Sequence, residues 1–236
     1  MKKTIAHIYA LGDQALTIEW DTTINEMANQ QVLYAFQSLQ NHPIEGVTDL
    51  IPAYSSLTIV YNPLIIQKQA VGISAFEWLK KQLMDLLNAP TDDSPSTTPI
   101  VVPVCYDCSL APDLAEAAAF AGMTIQELVA IHTSKSYKVY MLGFLPGFAY
   151  MASVDKAIQL PRKQNPRASV APGSVGIAGP QTGIYPLDAP GGWQLIGRTP
   201  LKIFDLSLEQ PCLFKPGDWV QFEAISLDIF HQMNLA

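Results

Sequence analysis

The three arginines of this chain, Arg162, Arg167 and Arg198, all fall between residues 143 and 200. Arginine suits planar, bidentate capture of a carboxylate or phosphate, because its guanidinium presents a rigid fork of N–H donors. The same stretch holds five basic and two acidic side chains, a formal +3, in a chain whose net charge is −7. Two readings are open. The arginines form an anion-binding face, or they pair with local acids such as Asp188 and Asp205.

Around them lie three further groupings. Gly173, Gly176, Gly179 and Gly183 recur through GSVGIAGPQTGIYP, where glycine permits close approach of backbone to a ligand or the corner of a barrel. The polar groups such a run could present are Gln181, Thr182 and Tyr185. Pro190-Gly-Gly-Trp193 sets an indole on a tight turn, as a core residue or as a wall for a stacked ligand. Phe144, Phe148 and Tyr150 share the Pro/Gly loop GFLPGFAY. They read either as an exposed apolar surface for a partner or as buried packing.

Other chemistries find less support. Cys105-Tyr-Asp-Cys108 is a CxxC, but it follows a strand instead of opening a helix, and no second pair completes a four-cysteine zinc site. The four histidines, His7, His42, His132 and His231, are scattered, and no nucleophile–base–acid set can be read. An enzyme built on this chain would share its chemistry with another chain.

The elements that must position these residues come in two groups. Residues 1–88 read as a small α/β unit of order β-β-α-β-β-α. Strands are expected at Thr4–Ala10, Ala15–Trp20, Val47–Ile51 and Leu57–Tyr61. Helices are expected behind capping boxes at Thr23-x-x-Glu26 and Ser74-x-x-Glu77, followed by apolar residues at helical period. Residues 89–99, APTDDSPSTTP, have linker composition. Residues 100–236 begin with a strand at Ile100–Val104, an Ala-rich helix from Asp113 to Ala121 and a third capping box at Thr124-x-x-Glu127. A strand at Tyr137–Leu142 follows. Then come short β-like runs, Ser174–Ala178, Gln194–Ile196, Leu201–Phe204 and Trp219–Glu223, between closely spaced glycines and prolines. That pattern indicates a β-barrel or sandwich.

Composition narrows the class. Hydrophobic residues make up 49% of the 236 and charged residues 15%, which excludes a disordered chain, and 18 prolines exclude a coiled coil. The acidic balance argues against a nucleic-acid coat. No uncharged stretch is free of prolines for the length of a membrane span. His7, Gly12 and Asp13 interrupt any secretion core after Met1-Lys2-Lys3, so a cytoplasmic protein is expected, with no membrane and no nucleic-acid partner. Three cysteines agree with a reducing compartment.

The stretch VYMLGFLPGFAYM, followed by LPRKQNPRASVAPGSVGIAGPQTGIYPLDAPGGWQLIGRTPLKIFD, resembles the family of 5-oxoprolinase B subunits, also known as KipI-type kinase inhibitors and allophanate hydrolase subunit 1-like proteins. GDQALTIEW, IPAYSSLTIVYNP, PVCY and FKPGDWVQFEAIS extend the resemblance over nearly the whole chain. It implies an α+β N-terminal domain followed by a mainly-β, cyclophilin-like barrel domain. It implies a subunit of an ATP-dependent enzyme that opens the lactam 5-oxo-L-proline to L-glutamate together with subunits A and C, inactive alone. Such a site must hold a carboxylate, a phosphorylated amide oxygen and a developing oxyanion. The residues expected to bind substrate are Arg162, Arg167 and Arg198 for the anions, and Gly179, Gln181, Thr182 and Tyr185 for lactam or backbone contacts. Two alternatives stay open within the family. One is a regulator that docks on a histidine kinase through Phe144, Phe148 and Tyr150. The other is the carboxyltransferase half of a urea carboxylase or allophanate-type amide enzyme.

Overall fold

The computed structural model describes residues 7–23, 25–88 and 98–234. The chain divides into two compact units, Met1–Ser96 and Thr97–Ala236. Of the expected linker, residues 89–97 lie outside the described residues, as do Thr4 to Ala6 of the first expected strand and Ile24.

The first unit holds β1 (His7–Ala10), β2 (Ala15–Glu19), α1 (Glu26–Asn41), β3 (Val47–Pro52), β4 (Ser56–Tyr61), α2 (Pro63–Gln69) and α3 (Ala75–Asn88). Its four strands form an antiparallel sheet of order β1-β2-β4-β3. Strand alternation puts Leu57, Ile59 and Tyr61 of β4 on the buried face. Val32, Ala35 and Leu39 of α1, and Leu79 and Leu83 of α3, join them at helical spacing in one core.

The helix starts are set by local polar chemistry. Ser74 accepts from the Glu77 N–H at 3.2 Å and opens α3 as expected. At α1 the cap is Asn25, not Thr23. The Asn25 Oδ1 accepts from the Ala28 N–H at 2.7 Å while its Nδ2 donates to Asp21 at 2.7 Å. A carboxamide can accept and donate together, so Asp21 orients the cap; a hydroxyl at Thr23 instead donates to Asp21. Helix α2 is an addition to the expected order. Asn62 caps it and Pro63 occupies its first turn, where no N–H is needed.

The second unit holds β5 (Ile100–Cys105), α4 (Leu114–Phe120), α5 (Ile125–Thr133), β6 (Ser136–Leu142), β7 (Ala149–Ala152), β8 (Arg167–Val170), β9 (Ser174–Ala178), β10 (Gln181–Ile184), β11 (Ala189–Gly191), β12 (Gln194–Arg198), β13 (Trp219–Ile225) and α6 (Leu227–Asn234). Seven strands close into a barrel of order β10-β7-β6-β13-β5-β12-β9. All its pairs are antiparallel except β13 on β5, in register from Val220 opposite Ile100 to Ile225 opposite Cys105. Closure leaves no free edge and packs Val102, Val104, Val139, Met151, Val175, Ile177, Ile196 and Phe222 inside. Strands β8 and β11 form a separate two-stranded ribbon. Leu201–Phe204 is not a strand; the segment makes one isolated bridge, Phe204 to Cys212. The capping box at Thr124 and Glu127 is complete and opens α5.

Helix α5 delivers His132 to the barrel interior, where it is fully buried. Its Nδ1 lies 2.8 Å from the Tyr106 hydroxyl and its Nε2 lies 3.0 Å from Thr182 Oγ1. The ring stacks on Phe222 at 4.7 Å. Burial lowers its pKa to about 3, so the imidazole is neutral at physiological pH. Both nitrogens are occupied, as suits a structural histidine.

Candidate functional site

The loop between β6 and β7, the segment before β8, and the β11–β12 turn meet at one pocket of about 210 Å³ in the second unit. Phe144, Phe148, Tyr150, Tyr185 and Trp193 supply aromatic walls, Arg162 the charge, and Pro166, Pro190, Gly191 and Gly192 the remaining lining. Phe148 is the hub. Its ring meets Phe144, Tyr150, Tyr185 and Trp193 edge-on, at centroid separations of 5.7, 4.8, 5.3 and 5.4 Å. Edge-to-face packing sets the positive rim of one ring on the negative face of the next, which locks the box in shape. Glycine makes the box possible at Gly183, where a Cβ would stand 3.2 Å from both Phe148 and Trp193 and 2.8 Å from a backbone oxygen.

The polar groups of the pocket are few. Arg162 is exposed and makes no ion pair or hydrogen bond among the described residues. Burial raises the phenols of Tyr150 and Tyr185 above their ordinary value, against an opposing pull from Arg162. Both are therefore protonated at neutral pH and can donate a hydrogen bond. One guanidinium, two phenols and an aromatic box can hold a small molecule with a single anionic group and a compact apolar body.

Arg167 and Lys163 do not face this pocket. They converge on Asp113, whose side chain is 2% exposed. Asp113 Oδ1 accepts from Arg167 at 2.6 Å and from Lys163 at 2.8 Å, and Oδ2 accepts from the Leu195 N–H at 2.7 Å. Burial works against the carboxylate, but these hydrogen bonds outweigh it and hold its pKa below the ordinary value. Arg167 thus has an acidic partner, though neither Asp188 nor Asp205 supplies it. Its Nη1 is buried without a hydrogen bond.

The sequence-selected residues separate into four places, one of them the Arg167 position at Asp113. Arg162, Tyr185, Phe144, Phe148 and Tyr150 share the pocket. Phe148 is 1% exposed and Phe144 59%, so the aromatic loop forms a wall with one projecting ring and not a continuous exposed patch. Gly179, Gln181 and Thr182 belong to the β9–β10 hairpin, outside the pocket lining. Gly179 forms its turn at φ 56°, Gln181 is buried, and the Thr182 hydroxyl donates to the Gly176 carbonyl while meeting His132. Arg198 ends β12, outside the pocket lining, with its Nε donating to the Pro172 carbonyl at 2.9 Å. Cys105 is buried and Cys108 exposed, both as free thiols.

Asp113 and Lys163 escaped selection from the sequence. Asp113 stands at the N-cap of α4, where an aspartate is expected for local reasons, yet it makes no capping hydrogen bond. Nothing in the sequence marks a cap residue whose side chain is committed elsewhere.

Residues 6–214 match the family model described as carboxyltransferase domain, subdomain C and D. The barrel and pocket thus lie on a carboxyltransferase-type scaffold. The chain belongs to this family, and within it to the group of 5-oxoprolinase B subunits: it is 42% identical to the 5-oxoprolinase B subunit of Bacillus subtilis (strain 168), over 95% of each chain. The crystal structure of TTHA0988 superposes with a TM-score of 0.80 at 34% identity over 90% of this chain; this chain spans 40% of that longer protein. The urea carboxylase of Kluyveromyces lactis shares the fold, with a TM-score of 0.71 over 96% of this chain and 22% of that one, at 18% identity. Among the described residues no single helix is long and apolar enough to cross a membrane.

Proposed function

We propose that this chain is the B subunit of a cytoplasmic, ATP-dependent 5-oxoprolinase, acting with subunits A and C. Its N-terminal unit is then the α+β domain, and its barrel the cyclophilin-like domain, joined through residues 89–99. The supporting observation is 42% identity to a 5-oxoprolinase B subunit along almost the full length of both chains. In the net reaction one water adds across the lactam C–N bond of 5-oxo-L-proline, giving the amine and the second carboxylate of glutamate, while a second water takes up the terminal phosphoryl group of ATP, leaving ADP and phosphate.

The pocket suits that substrate. Arg162 faces the single carboxylate with a fork of donors. The flat five-membered ring packs against the aromatic wall of Phe148, Tyr150 and Trp193, and the Tyr185 phenol donates to the lactam oxygen. Charge that develops on that oxygen as the carbonyl is attacked is stabilised by a donor already in place. ATP does not fit here. The pocket is smaller than the roughly 300–1,000 Å³ usual for larger ligands, and its lining offers one guanidinium to three phosphates. This pocket is therefore not assigned to ATP.

The test is ATP hydrolysis dependent on 5-oxoproline in a mixture of this chain with subunits A and C, each omitted in turn. Glutamate formed only when all three are present supports the reading. An inert mixture in which this chain still binds the C subunit sinks the substrate and retains the assembly, and ureas and other lactams are then the candidates.

A further inference from the structure

Asp113 touches both halves of the pocket without lining it. Through Lys163 and Arg167 it grips the segment that carries Arg162 and Pro166, and through the Leu195 N–H it grips the strand that follows Trp193. Its own N–H donates back to the Leu195 carbonyl at 3.1 Å, so the Asp113–Leu195 contact is reciprocal. Two more hydrogen bonds and one strand pairing tie the same two segments together. The Lys163 N–H donates to the Gly192 carbonyl at 2.7 Å, the Gln194 Nε2 donates to the Pro161 carbonyl at 3.0 Å, and Arg167 pairs with Gly191 across the β8–β11 ribbon. Arg162 therefore stands on a short stretch held on either side, and Asp113, which belongs to neither segment, reaches both of them.

An N-cap aspartate ordinarily stabilises its own helix by accepting from the free N–H groups of its first turn. Asp113 gives that up: α4 starts without a side-chain cap. A buried ion pair is not by itself a strong source of stability, because desolvation offsets much of the attraction. What the arrangement secures is geometry. Two cations and one backbone donor converge on one carboxylate from two segments of the chain, which fixes their relative position to within hydrogen-bond tolerance.

We propose that Asp113 is a positioning residue for the pocket, clamping the 161–167 segment to the 191–195 segment so that the Arg162 guanidinium is presented to a small carboxylate ligand. The identity of that ligand as 5-oxoproline rests on the function proposed above; the clamp itself does not.

Asp113→Asn keeps the shape and one acceptor for the Leu195 N–H but removes the charge that Lys163 and Arg167 share. Two measurements test it. The first is peptide-resolved hydrogen exchange on the full chain without partners. The variant is expected to exchange at least tenfold faster in both 161–167 and 191–195, with β6 and β13 protected as in the parent. Unchanged exchange in either segment overturns the clamp. Faster exchange spread evenly over the barrel also overturns it, because the carboxylate is then a general stabiliser.

The second is 5-oxoproline kinetics in the complex with subunits A and C. The expected result is a KM raised about tenfold with kcat within threefold of the parent, and little further rise when Asp113→Asn is added to Arg162→Ala. A parental KM, or effects that multiply in the double variant, overturns the link to Arg162. If the parent complex itself does not turn over 5-oxoproline, the proposed function fails, and the hydrogen-exchange result still decides the clamp.

Discussion

The hydroxyl of Tyr185 occupies the space into which a side chain at residue 191 would project, so Gly191 is required by the ring it faces and not by its own backbone angles. Tyr185 follows β10 and Gly191 ends β11; their contact closes one side of the pocket. Gly191→Ala forces either the phenol or the ribbon to move. Overpacking of this kind costs about 1–3 kcal/mol. A lowered melting temperature is expected, together with an altered near-UV circular dichroism signal from the Phe148–Trp193 box. A variant with parental melting and spectrum would show that Tyr185 has room to give way.

Arg162 and Arg198 differ in their surroundings, so their substitutions should differ in effect. Arg162→Ala removes an exposed guanidinium that has no partner among the described residues. The expected outcome is a rise in the 5-oxoproline KM of ten- to a hundredfold in the assembled complex, with the melting temperature unchanged within about 2 °C. Arg198→Ala removes the hydrogen bond to Pro172 at the end of β12 and is expected to lower stability more than it raises KM. The reverse pattern would move the anion site from the pocket to the end of β12.

Phe144 combines exposure with a left-handed backbone at φ 68°, a conformation that costs a bulky residue about 1 kcal/mol or more. Phe144→Gly should therefore melt at or above the parental temperature while removing the pocket's outer ring. Phe144→Ala keeps the unfavourable angle and should melt lower than the glycine variant. Both should raise KM. If glycine and alanine variants melt alike, the loop relaxes on substitution and stores no strain.

Acid should weaken this protein before its carboxylates titrate. Burial lowers the His132 pKa to about 3 from 6.5. Below pH 6.5 the unfolded chain takes up a proton that the folded chain refuses, so stability rises with pH between about 3 and 6.5 and is flat above that window as far as this residue is concerned. Asp113 acts in a lower window: its lowered pKa adds stability that is lost only as pH falls below the ordinary aspartate range. Urea midpoints at pH 7.5, 6, 5 and 4 should fall steadily in the parent. His132→Gln should be less stable at pH 7.5 and fall less steeply. Parallel slopes for the two proteins would place the acid sensitivity elsewhere.

Much of the fold follows from local chemistry. The boxes at Ser74 and Thr124, the alternation of β4 and the apolar run of β5 specify their elements because each depends on neighbours within a few residues. The same locality explains the failures. Strands β7, β8, β10 and β11 are three or four residues long, too short for a period to show, and exist because the barrel and its ribbon supply their partners. At α1 two cap residues competed, and Asp21 decided for Asn25.

For the site, the residue types by themselves determined that anion capture and aromatic packing would both be concentrated between residues 143 and 200, and their resemblance to 5-oxoprolinase B subunits was carried by the same stretch. Side-chain chemistry is a property of the residue, so it survives without coordinates. Which arginine is available is not such a property. Arg167 is neutralised by Asp113, 54 positions away, and Arg198 is turned to a backbone carbonyl, while Arg162 is left facing an aromatic box. Only closure of the barrel brings β7, β10 and β12 to one end and selects among three chemically identical groups.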